Sequence, residues 1–476
     1  MLLFLLLYVL LQMGIGVLVS RRVRTEDDYL VAGRSLGPAL VTCSLFATWF
    51  GAESCLGAAG TVYDEGISHL SAEPFAYGLC LVVMGLFYAV PLWRRGITTL
   101  ADLFRKRYGA GIETLAAVLL IPTSVLWAAA QVRAFGHVLH TNGDGWISVE
   151  AGILVATLVA VVYTGAGGLL ADVITDVVQG GALVIGLIVL LWGAIEHVGG
   201  IERAAEVIAA RPDLGVSSAG FLHTLEAWML PLAGSVVAQE AVARALAARN
   251  PQIARRGAVT GGLLYVAVGM IPVTLGLLGP TLVPELDGGD TEQLLPTLAA
   301  RHLPAALNVI FAGALVSAIL STVDSCLLVA SSLFSRNVVL RGGRNATDAR
   351  RLWMARCGVM GAGVCACLLA LEFDSVAELV ADASGFGSAG IFVIVTMGLF
   401  TRLGGRIAAL GALVLGLLSW VAGRYVWSWP DDGNPQGLAI EHPYLVSFAS
   451  AWVGYALGML VERLRPPAPT EANPSS

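Results

Sequence analysis

Long apolar stretches recur along the whole chain and restrict its fold more than any other feature. An α-helix needs roughly 20 apolar residues to cross the hydrocarbon core of a bilayer. The 476-residue sequence is 57% apolar and only 13% charged, with a mean hydropathy of +0.77, outside the usual range of soluble domains. We therefore predict an all-α polytopic membrane protein with about thirteen transmembrane helices. The predicted spans are residues 2–20, 37–60, 72–93, 113–139, 147–166, 173–194, 224–245, 257–282, 304–333, 352–371, 377–401, 405–424 and 443–462.

Basic residues indicate how these spans are oriented. Placing the N-terminus outside puts most of the 28 Lys and Arg residues in alternate loops, which are then cytoplasmic by the positive-inside rule. An odd number of spans leaves the C-terminus in the cytoplasm. Residues 1–465 are predicted to form a single transmembrane domain, and the polar, Pro-rich tail 466–476 is predicted to be disordered.

Several function classes are disfavoured by composition and motifs. The chain has a net charge of −6, and its sequence has no basic patch of the kind that binds nucleic acid. The seven cysteines lie mostly in apolar runs, without the spacing of metal sites, and are read as small hydrophobic residues. Because the sequence has no nucleotide-binding or hydrolytic motif, we expect a protein that is not an enzyme.

One apolar span carries small oxygen-bearing side chains on a single face. Ala318, Ser321, Thr322 and Ser325 follow the helical offsets 0, +3, +4 and +7. Hydroxyl oxygens suit a hard cation, and adjacent residues such as Ser321 and Thr322 can contact one ion. The alternative is that these hydroxyls bond back to carbonyls one turn earlier in the helix.

Two other spans contain residues that interrupt helices. Residues 37–60 include Gly51, Gly57 and Glu53, and residues 224–245 include Pro231 and Gly234 before Gln239. A broken helix inside a membrane is tolerated only where its free backbone groups line a cavity or bind something. The glycines could instead serve close helix packing. Glu53 is a functional candidate because an ionisable residue within a span is costly.

Four motifs occur in the order typical of one family of transporters. They are ATWFGAES, RRGITTLADLFRKRYG, YTGAGGLLADVITDVVQG and ALVSAILSTVDSCLLVASSLFSRNV. With them the chain resembles the sodium:solute symporter family over residues 28–400, and is most similar in motif to its choline-transporting and related bacterial members. The resemblance implies the five-plus-five inverted repeat of the bacterial leucine transporter over residues 37–401, with one extra N-terminal and two extra C-terminal helices. It also implies residence in a bacterial inner membrane.

The resemblance supplies candidate cation ligands. The family's sodium site falls on the backbone carbonyls of Ala47, Phe50 and Ala318 and on the hydroxyls of Ser321 and Thr322. Two acids, Asp176 and Asp324, also match family positions, Asp176 at a second sodium site of some members. A structural role for these two acids is equally open.

Candidate solute-binding residues also follow from the resemblance. Trp49, Tyr77 and Trp127 match aromatic positions that surround the ammonium group in choline-transporting relatives, although packing alone would also explain isolated tryptophans. A further tryptophan of that pattern is replaced here by Ala238. Polar candidates are Glu53, Glu73 and Gln239. Arg133 would favour a zwitterionic solute if it faces the pocket, and Asp172 has no assigned role.

These observations predict a sodium-coupled secondary active symporter that imports a small organic solute by alternating access. A quaternary ammonium compound or a zwitterion is the expected solute. The alternatives are a proton-coupled carrier of similar fold, and a transporter-like solute sensor. Expected partners are the solute, Na⁺ as coupling ion and the lipid bilayer, with no nucleic acid and no organic cofactor.

Overall fold

A computed structural model describes residues 14, 18, 25–67, 73–142, 146–211, 220–286, 291–340, 347–373, 375–426 and 442–464. These residues are mostly helical, and within them the only β-type pairing is one isolated bridge between Leu36 and Ala248. The predicted span 2–20, apart from residues 14 and 18, and the predicted disordered tail lie outside the described residues. The all-α prediction is confirmed for the part of the chain that the structure describes.

Nine described helices are long and apolar enough to cross a membrane, and two bent helix pairs raise this number to at most eleven. The predicted count of thirteen is therefore not confirmed. One further predicted span corresponds to the shorter apolar helix Val149–Val162. The nine helices are Phe75–Arg94, Ala110–His140, Gly167–Val198, Pro251–Leu282, Ala305–Val339, Asp348–Glu372, Glu378–Phe400, Arg406–Val426 and Pro443–Leu464. Shorter helices lie between them at Glu26–Val31, Leu100–Tyr108, Ile201–Ala209 and Leu294–His302.

The first bent pair, here called the first broken helix, consists of Pro38–Trp49 and Glu53–Glu65, whose axes differ by 64°. Pro38 begins the helix at a position where a missing N–H is harmless. The helical conformation ends at Phe50, whose φ and ψ are −89° and 70°. The interruption predicted near Gly51 is thereby confirmed.

The second broken helix consists of Phe221–Ser235 and Gln239–Ala247, bent by 44°. The predicted interruption is confirmed for this span, although the helix continues through Pro231 and Gly234 and breaks only after Ser235. Ala238 has φ and ψ of −58° and 136°, so the chain is extended immediately before the second half begins.

Backbone hydrogen bonds join one end of each broken helix. The Leu36 N–H donates to the Ala247 carbonyl at 3.1 Å, and the Arg249 N–H donates to the Leu36 carbonyl at 2.9 Å. The indole N–H of Trp93 donates to the Ala248 carbonyl at 2.8 Å. The segment before the first broken helix is thus fixed to the segment after the second.

The helix Ala305–Ser332, here called the hydroxyl helix, lies at the centre of the fold. Every residue from Phe311 to Ser332 is buried. It packs against Val149–Val198 and Ala110–Asn142, and also contacts the first half of the first broken helix. Small side chains on all of its faces permit this close packing. A central helix that is buried on all sides from Phe311 to Ser332 is well placed to carry a polar site.

A sharp turn at Gly168 divides the long helix Val149–Val198 between the predicted spans 147–166 and 173–194. Gly168 has φ of 60° and ψ of −169°, a conformation that side-chain-bearing residues rarely adopt. A Cβ atom there would lie 2.6 Å from the ring of Tyr29, whose hydroxyl donates to the Thr164 carbonyl at 3.1 Å. The turn therefore depends on glycine for both conformation and space.

We expect Gly168→Ala to destabilise the folded protein, because a left-handed conformation costs about 1–3 kcal/mol in a residue other than glycine and the methyl group meets Tyr29. The measurement is the midpoint of thermal unfolding in detergent. The control is Gly165→Ala, since a Cβ atom at Gly165 meets nothing within 4 Å. Equal midpoints for the two variants would contradict this account of the turn.

Candidate sodium and solute site

The hydroxyl helix meets the first broken helix where the latter unwinds. The hydroxyl of Thr322 donates to the Thr48 carbonyl at 3.1 Å, with a weaker contact to the Ala318 carbonyl at 3.4 Å. Thr48 lies between the two predicted carbonyl ligands, Ala47 and Phe50. The structure thus brings Thr322 to the unwound backbone, whereas lipid-facing threonines bond only within their own helix.

Close contacts at Gly51 leave no room for a side chain at the first break. A Cβ atom at Gly51 would lie 2.8 Å from Gln131 Oε1 and 2.9 Å from Thr322 Oγ1. The same Gln131 oxygen accepts a hydrogen bond from the Ala52 N–H at 2.9 Å. The hydroxyl of Ser54 donates to the Trp49 carbonyl at 3.2 Å. Carbonyl and hydroxyl oxygens therefore gather around Gly51, which is the donor set that suits an alkali cation.

Ser321 points from the same helix toward a carboxylate. Its hydroxyl donates to Asp176 Oδ1, and the hydroxyl of Ser44 donates to Asp176 Oδ2. Asp176 is fully buried. Ser321 therefore connects the predicted cation site to a buried negative charge.

Arg244 supplies a positive charge to this carboxylate. Its side chain is fully buried, and its Nη2 atom lies 3.2 Å from Asp176 and 2.8 Å from Asp172. Arg244 also donates to Ser44 Oγ at 2.8 Å and to the hydroxyl of Ser325. A buried guanidinium is tolerated when its N–H groups are satisfied in this way. The contact favours a structural role for Asp176 over a second sodium site, and it gives Asp172 a partner.

Asp324 occupies a different environment from Asp176. Its Oδ1 atom accepts a hydrogen bond from the Thr164 hydroxyl at 2.8 Å, beside the Gly168 turn. Its Oδ2 atom is buried without a hydrogen-bond partner among the described residues. Asp176 and Asp324 therefore have different hydrogen-bond partners. A cation-binding role for Asp324 stays a prediction.

Three aromatic residues predicted to bind solute lie together. The ring centroids of Trp49 and Trp127 are 6.2 Å apart, and those of Tyr77 and Trp127 are 6.4 Å apart. Trp49 directly precedes the break, so the aromatic group is next to the candidate cation site. Such an arrangement can offer π faces to a cation.

The two predicted acids of the pocket belong to one polar cluster. The carboxyl group of Glu53 lies near the Tyr77 hydroxyl and the carboxyl group of Glu73. The Tyr77 hydroxyl itself lies 3.3 Å from the Ser384 hydroxyl. The Tyr265 hydroxyl lies 2.8 Å from both carboxylate oxygens of Glu73 and 2.5 Å from the Ser54 hydroxyl. Glu53 and Glu73 thus place two acidic groups beside the tyrosine end of the aromatic group.

A small cavity joins the candidate cation site to the aromatic group. It is lined by Thr48, Trp49, Trp127, Glu240, Thr322 and Cys326. Its walls thus include residues of the break, the hydroxyl helix and both tryptophans. A group bound in this cavity would contact both predicted sites at once.

A family model describes most of this chain. The model of the sodium:solute symporter family matches residues 29–418. The chain belongs to this family.

Curated relatives of the symporter have known solutes. The human high-affinity choline transporter is 27% identical over 440 residues, which cover 86% of this chain and 75% of the relative. The sodium/pantothenate symporter of Haemophilus influenzae is 26% identical over 421 residues, covering 84% and 85% of the two chains. Because the family and these relatives are transporters, the chain is a transporter and not an enzyme, and family membership supports sodium-coupled symport.

A solved structure shows the same fold. A Na⁺-coupled sialic acid symporter, in a substrate-bound outward-open state, superposes with a TM-score of 0.82 at 18% identity and covers 96% of each chain. The predicted fold class is therefore confirmed, and the symporter is an integral membrane protein. The predicted orientation of its termini stays a prediction.

Two other polar residues of the symporter bond to the backbone of neighbouring helices, although Gln239 also lines a cavity with Trp127. Gln239 accepts a hydrogen bond from the Leu100 N–H at 2.6 Å, which directs its amide oxygen to the start of helix Leu100–Tyr108. Arg133 donates to the Ala370 carbonyl of helix Asp348–Glu372 at 3.0 Å. The solute-binding role of Gln239 stays a prediction, and the contact of Arg133 gives little support to a zwitterion.

Sequence reasoning missed other polar residues around the site. Gln131, Glu240 and Arg244 each lie within a predicted apolar span, where a polar or charged side chain is a signal in its own right. Tyr265 gave no signal of this kind, because tyrosine is common in membrane helices. Its role becomes visible only from its contact with Glu73.

We expect Thr322→Ala to raise the sodium concentration for half-maximal solute uptake by about tenfold, the effect of losing about 1.4 kcal/mol of binding free energy. Sodium dependence of uptake into proteoliposomes measures it. Thr274→Ala is the matched control, because the exposed Thr274 hydroxyl bonds only back to the Met270 carbonyl in the hydrogen bonds of the described residues. Unchanged sodium dependence of uptake in Thr322→Ala would show that Thr322 does not bind sodium.

We expect Gly51→Ala to reduce sodium binding more strongly than Gly57→Ala. The first methyl group would meet Thr322 and Gln131 below 3.0 Å, whereas the nearest atom to a Cβ at Gly57 is 4.0 Å away. Sodium-dependent thermal stabilisation in detergent measures the difference without requiring a known solute. Similar stabilisation of both variants would show that sodium binds elsewhere.

Proposed function

We propose that this symporter imports a small organic cation together with Na⁺ by alternating access. The observation that carries the proposal is the cavity shared by Thr48, Thr322, Trp49 and Trp127. Thr322, which is predicted to hold sodium, and Trp49 and Trp127, which are predicted to hold solute, are part of its walls. Occupation of one site therefore organises the other, which is the requirement for coupling.

The charges around the aromatic group favour a cation as the solute. Glu53 and Glu73 place carboxyl groups next to Tyr77, and Trp49 and Trp127 present indole rings to the same region. A cation over an indole face gains about 0.5–2 kcal/mol, and more when it is desolvated. The choline-transporting relatives agree with this solute class, whereas pantothenate, which carries a carboxylate, does not.

Sodium would support transport by stabilising the break. Its predicted ligands belong to the first broken helix and to the hydroxyl helix, so a bound ion holds Ala47 and Phe50 against Ala318, Ser321 and Thr322. The aromatic group is then preorganised around Trp49. One elementary charge crossing 100 mV supplies about 2.3 kcal/mol, sufficient for roughly 50-fold accumulation of solute per sodium ion.

Proton coupling is the second candidate, and the paired acids Glu53 and Glu73 favour it. Two carboxyl groups that interact in an apolar environment readily share one proton. A proton taken up from outside and released inside could then drive the same cycle. Sodium dependence of uptake separates the two mechanisms.

A panel of solutes tests the proposal. Choline, betaines, proline, sugars and small carboxylates are compared for thermal stabilisation of the detergent-solubilised protein, with sodium or with potassium. We expect organic cations to raise the unfolding midpoint only with sodium, because a ligand that binds only the folded state stabilises it in proportion to occupancy. The best ligand is then tested for uptake into proteoliposomes.

An inward sodium gradient should drive this uptake, and an inward proton gradient at equal sodium should not. Uptake driven by a proton gradient alone would show that the coupling ion is the proton and not sodium. Stabilisation only by sugars or carboxylates would reject the cationic solute while leaving sodium coupling intact.

A further inference from the structure

Glu240 is a buried acid beside both candidate sites that neither the family pattern nor the sequence prediction assigns. It is the second residue of the second half of the second broken helix, and only 6% of it is exposed. The hydroxyl of Ser124 donates to its Oε1 atom at 2.5 Å. The carboxyl group thus has a fixed position in the core.

Glu240 lines two adjacent cavities that share Trp127. The first also contacts Trp49 and Thr322, and the second contacts Ser124 and Ala238. The carboxyl group therefore lies beside the aromatic group on the side of the break, whereas Glu53 contacts Tyr77. Acidic groups are present at both ends of the aromatic group.

The nearest arginine of the same helix is engaged with other acids. Arg244 makes its ion pairs with Asp172 at 2.8 Å and Asp176 at 3.2 Å. Arg244 donates a hydrogen bond to the backbone carbonyl of Glu240 at 3.3 Å. Its positive charge acts on the Glu240 carboxyl group only at longer range. The carboxyl group is consequently placed to bind a cation that enters the cavity.

We infer that Glu240 binds the positively charged nitrogen of the solute beside the neighbouring indole rings of Trp49 and Trp127. The inference rests on the proposed function and makes it more specific. Ala238, two residues earlier, lines the second cavity and offers no π face to a cation. The carboxylate of Glu240 supplies attraction for the ammonium group from the same helix.

Two structural readings compete with this assignment. An acid in the first turn of a helix is stabilised by the helix dipole, which would make Glu240 a contribution to folding only. Alternatively, the carboxylate acts on sodium, because Thr322 lines the same cavity. Each reading predicts a different response to the loss of the charge.

The experiment compares choline with dimethylbutanol, in which a carbon atom replaces the quaternary nitrogen, for binding to wild-type protein and to Glu240→Gln. We expect the substitution to weaken choline binding at least tenfold, to change dimethylbutanol binding less than twofold, and to leave the sodium concentration for half-maximal binding unchanged. Calorimetric titration of the detergent-solubilised protein provides all three values.

Two variants serve as controls. Glu113→Gln removes another buried carboxylate, one that contacts Asn337 at 2.9 Å far from the aromatic group, and should leave the ratio of the two affinities unchanged. Ser124→Ala retains the charge of Glu240 and should reduce choline binding less than Glu240→Gln does. An increased sodium requirement with unchanged choline affinity would assign Glu240 to the sodium site and overturn the inference.

The remaining outcomes are also decisive. If Glu240→Gln only lowers thermal stability and binds choline as the wild type does, the dipole reading is correct and the inference fails while the proposed function stands. If the wild-type protein binds neither choline nor any other organic cation of the panel in sodium, the proposed function fails and the inference fails with it.

Discussion

Unpaired backbone groups within an apolar protein interior are the constraint on which the rest of this structure depends. At the first break the Ala52 N–H, the Thr48 carbonyl and the Trp49 carbonyl all lose their regular helical partners. Gln131, Thr322 and Ser54 replace them with side-chain hydrogen bonds. Because two of these side chains come from other helices, the break can exist only with its neighbours in place, and the site and the fold are stabilised together.

Buried charged groups are likewise stabilised by side chains from neighbouring helices. Arg244, Asp172 and Asp176 form a compact group with the hydroxyls of Ser44 and Ser325. These residues come from four different helices. Removal of Arg244 would leave two buried acids without a positive partner, so the group favours one arrangement of these four helices.

The sequence allowed most spans of the described residues, both broken helices and the family to be predicted, because apolar length, glycine position and motif order are local properties. The count of thirteen spans is not confirmed. Site roles such as those of Thr322 and Trp127 stay predictions, although the structure places both residues at one cavity. The pairing of Asp172 with Arg244 and the contact of Gln131 with Ala52 were not predictable. They depend on which distant helices are adjacent, and a single sequence does not contain that information.

The backbone bonds from Leu36 to Ala247 and Arg249 have a mechanical consequence. They join the two broken helices at one end, so the two helices cannot change their relative position there without loss of these bonds. A sodium ion bound at the proposed site near Phe50 would therefore also restrict movement of the second broken helix, which carries Glu240. Binding of sodium and binding of solute would then be coupled through the joined ends of the two broken helices as well as through direct contact.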